Sequence, residues 1–283
     1  MKSLERIVIA TDFSQASEDA KEMALRLART FNSEILLIHV IPEFKDYPVA
    51  KSKIRKAVTE KLRQMKADLN RQGISSVETV VKFGIPFEWI IEHSDEMDAN
   101  VIVLGSGEKV KGERFHLGTT AERVVRHANK PVWVVKSGSP PHIRKIVCPV
   151  ASSETSRRAL TNAVHLARTF EAHLTVLTVF EPLLSDYFGV GRTPGETKEK
   201  IWKRRQQDQF DRFLRAFNFE SLGWTKMLRR GKAHEEILAV VHETKSNLLV
   251  MGSEGRTGLS RMLVGSTTER VVREMPCSMI TLK

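Results

Sequence analysis

The chain has only two cysteines in 283 residues, Cys148 and Cys277, too few for a disulfide framework and not paired as zinc ligands are. That usage fits a reducing cytoplasm. No apolar run reaches the roughly 20 residues needed to span a bilayer, and Met1-Lys-Ser-Leu-Glu-Arg-Ile lacks a signal-peptide layout, so no membrane partner is expected. Aromatic residues make up 7%, without the aromatic string of an RNA-recognition sheet. The nine histidines show no metal spacing, and His234 and His242 do not form a His-Glu-x-x-His pair. A Gly-x-Ser-x-Gly elbow, a Cys/His nucleophile pair and a Walker A lysine are all missing, so nothing marks a fast catalyst.

What the chain has in excess is positive charge and repetition. Its 45 Lys and Arg against 34 Asp and Glu give +11, which speaks to attraction of polyanions rather than to fold. The densest basic stretch, Lys198 to Arg205, reads as the solvated face of a helix, and nucleic acid is disfavoured as a partner. Repetition says more. Leu27-Ala-Arg-Thr-Phe31 recurs as Leu166-Ala-Arg-Thr-Phe170, an offset of 139. Gly118-Thr-Thr-Ala-Glu-Arg-Val-Val-Arg126 recurs as Gly265-Ser-Thr-Thr-Glu-Arg-Val-Val-Arg273, an offset of 147. The difference places an insertion at Asp186 to Gly195, where Gly189-Val-Gly191 reads as a loop and a candidate flap. Ser137-Gly-Ser-Pro-Pro-His142 reads as a linker. Two domains follow, 1–137 and 143–283.

Each half alternates short apolar runs with helical patterns. In the first, Ile7–Ala10, Glu34–Val40, Val77–Phe83, Val101–Leu104 and Val132–Val135 read as strands, with helices between them. Apolar strands without strict alternation imply a parallel sheet covered on both faces, an α/β, doubly wound, Rossmann-like fold with five strands per domain. Ligands of such sheets sit beyond the carboxyl ends of the strands, where Asp12 and Gly105 can share one crevice.

The most specific local pattern is Gly252-x-x-Gly255-x9-Gly265-Ser266, between the short apolar run Asn247–Met251 and a helix. Glycines let backbone amides approach phosphate oxygens, and the helix start adds partial positive charge. The same glycines could be turn residues, and Ser266 and Thr267 could be plain caps.

Together with Ile9-Ala-Thr-Asp12-Phe-Ser14 and Gly84-x-Pro86, this pattern resembles the universal stress protein family, over essentially the whole chain and twice in tandem. The resemblance implies the adenine-nucleotide alpha-hydrolase-like version of the fold. It also implies binding of ATP, with magnesium, or of a related adenine nucleotide, in a stress-response regulator. Site residues implied in the second half are Pro149, Val150, Val179, Met251, Gly252, Gly255, Arg256, Gly265, Ser266 and Thr267. In the first they are Asp12, Val40, Gly105, Gly118 and Thr119. Pairing of the two domains through their last strands, a homo-dimer of the tandem chain and an unknown protein partner follow from the same resemblance.

Neither half keeps the whole pattern. Glu108 replaces the second glycine of the first half and Lys111 the position of Gly258, while Lys109, Lys111 and Arg114 could favour a smaller anion. In the second half Ala151 replaces Asp12, with Ser152 or Ser153 as partial substitutes. A phosphate cradle needs several backbone donors, whereas one carboxylate contributes roughly 1–3 kcal/mol, so the second half is the expected nucleotide site and the first a mainly structural one. Two alternatives stay open: a nucleotide-free interaction module, and a slow ATPase or phosphotransferase using Asp12, Ser14 or Ser153.

Overall fold

The computed structural model describes residues 4–43, 51–107, 117–181, 198–253 and 265–283. The first half runs β1 (Arg6–Ala10), α1 (Gln15–Phe31), β2 (Glu34–Ile41), α2 (Lys51–Arg71), β3 (Val77–Phe83), α3 (Pro86–Glu96), β4 (Val101–Gly105), α4 (Thr119–His127) and β5 (Val132–Val135). The second runs β6 (Lys145–Pro149), α5 (Glu154–Thr169), β7 (His173–Phe180), α6 (Lys198–Leu214) and β8 (Trp224–Arg230). It continues through α7 (Ala233–Thr244), β9 (Leu248–Gly252), α8 (Ser266–Glu274) and β10 (Ser278–Leu282).

Local chemistry sets several of these ends. Ser14 caps α1 by accepting from the Ser17 amide, which starts the helix at Gln15 rather than at Ser17, where the apolar pattern begins. Asn32 ends the same helix in the left-handed region, where its short polar side chain is tolerated. Pro86 opens α3, where its missing N–H costs nothing.

The strands form one ten-stranded sheet in the order β3-β2-β1-β4-β5-β10-β9-β6-β7-β8. Pairings within each half are parallel; β5 and β10 pair antiparallel, with Trp133 opposite Ile280. Because of that one reversal, the carboxyl ends of the strands lie at opposite edges of the sheet in the two halves. Helices cover both faces. α1, α2, α5 and α6 pack on one through a core that includes Leu27, Leu62, Leu166 and Phe210. α3, α4, α7 and α8 pack on the other around Ile90, Val124, Val240 and Val271. The central strands are buried on both sides, hence their unbroken apolar composition.

Candidate functional site

In the first half a cavity of about 490 Å³ opens at the carboxyl ends of β1, β2 and β4, within the usual size of a small-molecule site. Its lining joins Thr11, Asp12, His39, Val40, Gly105, Gly107, Gly118 and Thr119. The residues singled out from sequence in this half therefore converge on one crevice. Asp12 Oδ1 accepts from the Ser14 amide at 3.0 Å and from the Ser14 hydroxyl at 2.5 Å. Burial raises the pKa of Asp12, but the hydrogen bonds from Ser14 and Ser17 outweigh it and hold the carboxyl below its usual value. His39 bonds through Nδ1 to the Thr11 carbonyl at 2.7 Å and stacks on Phe13, centroids 4.7 Å apart. Burial lowers its pKa, helped by Lys61 and opposed by the Thr11 carbonyl and Asp12.

The second half repeats the frame with different side chains. Thr178 takes the place of His39 and donates to the Val150 carbonyl at 3.1 Å. Val150 and Met251 are buried, while Pro149 and Val179 are half-buried at their strand ends. Neither serine stands in freely for the missing acid. The Ser153 hydroxyl caps α5, accepting from the Ser156 amide at 3.1 Å, and Ser152 accepts from Gln209 at 2.7 Å. Gly255, Arg256, Glu108, Lys109, Lys111, Arg114 and the Asp186–Gly195 insertion lie outside the described residues.

α1 and α5 are capped by Ser14 and Ser153, whereas α3, α4, α7 and α8 have no side-chain cap among the described residues, and of these α4 and α8 begin at glycines, Gly118 and Gly265. Their first amides are therefore open to an external acceptor, and in the first half Gly118, Thr119 and Thr120 line the cavity. Close approach of backbones there also depends on glycine: a Cβ on Gly107, whose φ is +85°, would meet the Gly118 Cα at 3.2 Å. In the second half the Ser253 hydroxyl, next to Gly252, is buried without a hydrogen-bond partner among the described residues. Open amides at the two glycine starts, joined in the second half by an orphan hydroxyl, are donors that fit phosphate oxygens. No cluster of metal-binding side chains occurs among the described residues.

The universal stress protein family model matches residues 3–136 and again 142–283. The chain belongs to the universal stress protein family. It is 31% identical over 139 residues to a universal stress protein of Methanocaldococcus jannaschii, a match covering 46% of this chain and 81% of that one. A Synechocystis universal stress protein is 24% identical over 223 residues, covering 78% of this chain and 70% of its own. In fold, the crystal structure of a universal stress protein from Archaeoglobus fulgidus superposes with a TM-score of 0.72 at 21% identity, covering 98% of each chain.

Two features of this universal stress protein were not legible beforehand. His39 enters the crevice, which its place inside an apolar strand concealed. Gly105 and Gly252 also have a packing role: a Cβ on Gly105 would lie 2.3 Å from the Ala16 carbonyl oxygen, and one on Gly252 would lie 2.9 Å from Thr155. The first glycine of each pattern lets the helix that follows the neighbouring strand, α1 after β1 and α5 after β6, press against the strand end. Among the described residues no helix is long and apolar enough to cross a membrane.

Proposed function

We propose that this universal stress protein binds an adenine nucleotide where α4 and α8 begin, with ATP in the second half, and acts as a nucleotide-dependent stress-response regulator. The glycine starts of α4 and α8 carry the reading. Where α1 and α5 take a serine cap, these two helices begin at a bare glycine, the first of them on the floor of the first-half cavity. Both halves do this, although their loop residues differ.

In the second half Gly252, Gly255, Gly265, Ser266 and Thr267 would hold the phosphates, with Arg256 alongside and Pro149, Val150, Val179 and Met251 toward the nucleoside. In the first, Asp12 and Val40 would face a nucleoside, and Gly105, Gly118 and Thr119 a smaller phosphate group, since Glu108 repels a triphosphate. Bound ATP, with magnesium, supplies concentrated negative charge against the open amides. Binding then changes the surface offered to a protein partner. In this reading the β5–β10 junction is the internal counterpart of pairing between two single-domain copies. The tandem chain associates further as a homo-dimer in the cytoplasm.

Titration calorimetry on the full chain tests the assignment. Gly265→Asp supplies α8 with a capping carboxylate, which favours the helix, and sets that charge where phosphate would sit. Folding should be retained while ATP affinity falls at least about tenfold, roughly the worth of one charge-assisted hydrogen bond. Absence of ATP binding by the unmodified chain, with magnesium present, overturns the proposal.

A further inference from the structure

α2 runs past the body on which it packs. Its apolar stripe is Ile54, Val58, Leu62, Met65 and Leu69; the last four are buried, but Ile54 is 41% exposed and every residue from 51 to 57 is exposed. Ile54 and Ile85, the latter 47% exposed, are the exposed large hydrophobics among the described residues. Both stand near one corner of the sheet, the carboxyl end of β3. Lys51 Nζ lies 5.6 Å from the centre of the Phe83 ring, with Ile54 one turn on from Lys51 and Ile85 two residues past Phe83.

Cations flank Ile54. Lys51, Lys53, Arg55 and Lys56 occupy the first six positions of α2, whose first turn contains no acid. Positive charge at this end opposes the helix dipole and destabilises the helix unless an anion relieves it. Lys51 pairs with Glu43 at 3.0 Å, but Lys53, Arg55 and Lys56 have no carboxylate partner among the described residues. Across the whole helix, eight basic residues face two acidic ones. α6 begins with the same Lys-x-Lys-Ile-x-Lys order. There, however, Trp202 packs on Phe180 with centroids 4.6 Å apart, and Lys232 and Glu236 stand where the first half has Ile85 and Trp89. Among the described residues, the exposed isoleucines occur only in the first half.

We propose that this corner docks on an anionic lipid surface. Exposed isoleucines among unpaired cations match the boundary of a bilayer, where phosphate headgroups meet hydrocarbon. A nucleic acid would satisfy the cations but offers nothing to the isoleucines, and its bases would call for exposed stacking aromatics. The corner lies at the edge of the sheet where β2 and β3 end, the edge on which the first-half crevice opens. Docking and crevice therefore face the same way.

Vesicle co-sedimentation of the full chain tests the proposal, using phosphatidylcholine vesicles with and without phosphatidylglycerol, at low and high salt. The chain should bind only the phosphatidylglycerol vesicles and release at high salt. Joint Lys53→Glu, Arg55→Glu and Lys56→Glu substitution should weaken binding by about a hundredfold or more, at a few-fold per surface cation. Ile54→Ser with Ile85→Ser should weaken it several-fold and leave binding to duplex DNA unchanged; all five positions are solvent-exposed, and circular dichroism checks the fold. Arg204→Glu with Arg205→Glu on α6 should leave vesicle binding in place. No vesicle binding, indifference to the isoleucine pair, or dependence on the α6 pair each overturns the proposal.

Discussion

One NH2 nitrogen of Arg126 donates to two carboxylates, Glu122 of its own helix at 3.1 Å and Glu269 of the other half at 3.0 Å. Arg273, which occupies the matching place in the repeat, reaches Glu269 at 2.9 Å and Glu122 at 3.9 Å. The repeated Glu-Arg-Val-Val-Arg segments thus meet themselves beside the β5–β10 junction, each half supplying an acid and a base. These four side chains are partly exposed, so the network contributes less than its regularity suggests.

Arg126→Ala and Glu269→Ala should each cost only about 0.2–1 kcal/mol in urea unfolding. Their coupling in a double-mutant cycle should be of the same small size and shrink at high salt. A coupling well above that range would mean the pair is desolvated in solution.

Gly105→Ala should destabilise strongly, because its new Cβ would meet backbone at 2.3 Å from the Ala16 oxygen. Gly252→Ala meets Thr155 at 2.9 Å, partly through its side chain, and should cost less, about 1–3 kcal/mol for an overpacked site. Urea midpoints rank the two. The reverse order would show that α1 yields more readily than Thr155.

Ser253→Ala removes a buried hydroxyl that has no partner among the described residues. Relief of that unsatisfied group should leave stability unchanged or raised by up to about 1 kcal/mol. If the hydroxyl serves a phosphate, nucleotide affinity falls in the same variant. Thermal melting and calorimetry read the two effects separately.

The Asp12 carboxyl titrates below its usual 3.8 in the fold, despite burial, because Ser14 and Ser17 hydrogen-bond its charged form. Its stabilising contribution is therefore complete above about pH 4 and is lost as pH falls through the lowered value. Asp12→Asn should flatten the acid limb of a melting-temperature profile taken from pH 7 downward. An unchanged acid limb would show that this carboxyl is not held in the folded state.

Burial pushes the Cys277 thiol up to about 12, and it drives the Cys148 thiol up further. Both should resist an aromatic disulfide reagent in the folded chain and react only in denaturant. Rapid labelling of the native protein would indicate local opening of β6 or of the turn before β10.

Much of the architecture was written locally. Strand positions followed from unbroken apolar runs such as Ile7–Ala10, since a parallel strand is buried on both faces. Duplication followed from repeated segments such as Leu27–Phe31. The glycine pattern pointed to helix starts open to phosphate, because glycine there neither caps nor obstructs. The start of α1 lies ahead of its apolar pattern, because the Ser14 cap sets it at Gln15.

The sequence by itself determined the α/β class, the two halves, and which positions of each crevice carry glycine, acid or neither, since these depend on periodicity and residue identity along the chain. Tertiary structure decided what those residues meet. It brought His39 and Asp12 to one cavity, pressed Gly105 against Ala16, set Arg126 beside Glu269 of the other half, and left Ile54 beyond the end of its own core. Each of these depends on the distance between segments far apart in the chain, which sheet register and helix packing fix and local pattern does not encode.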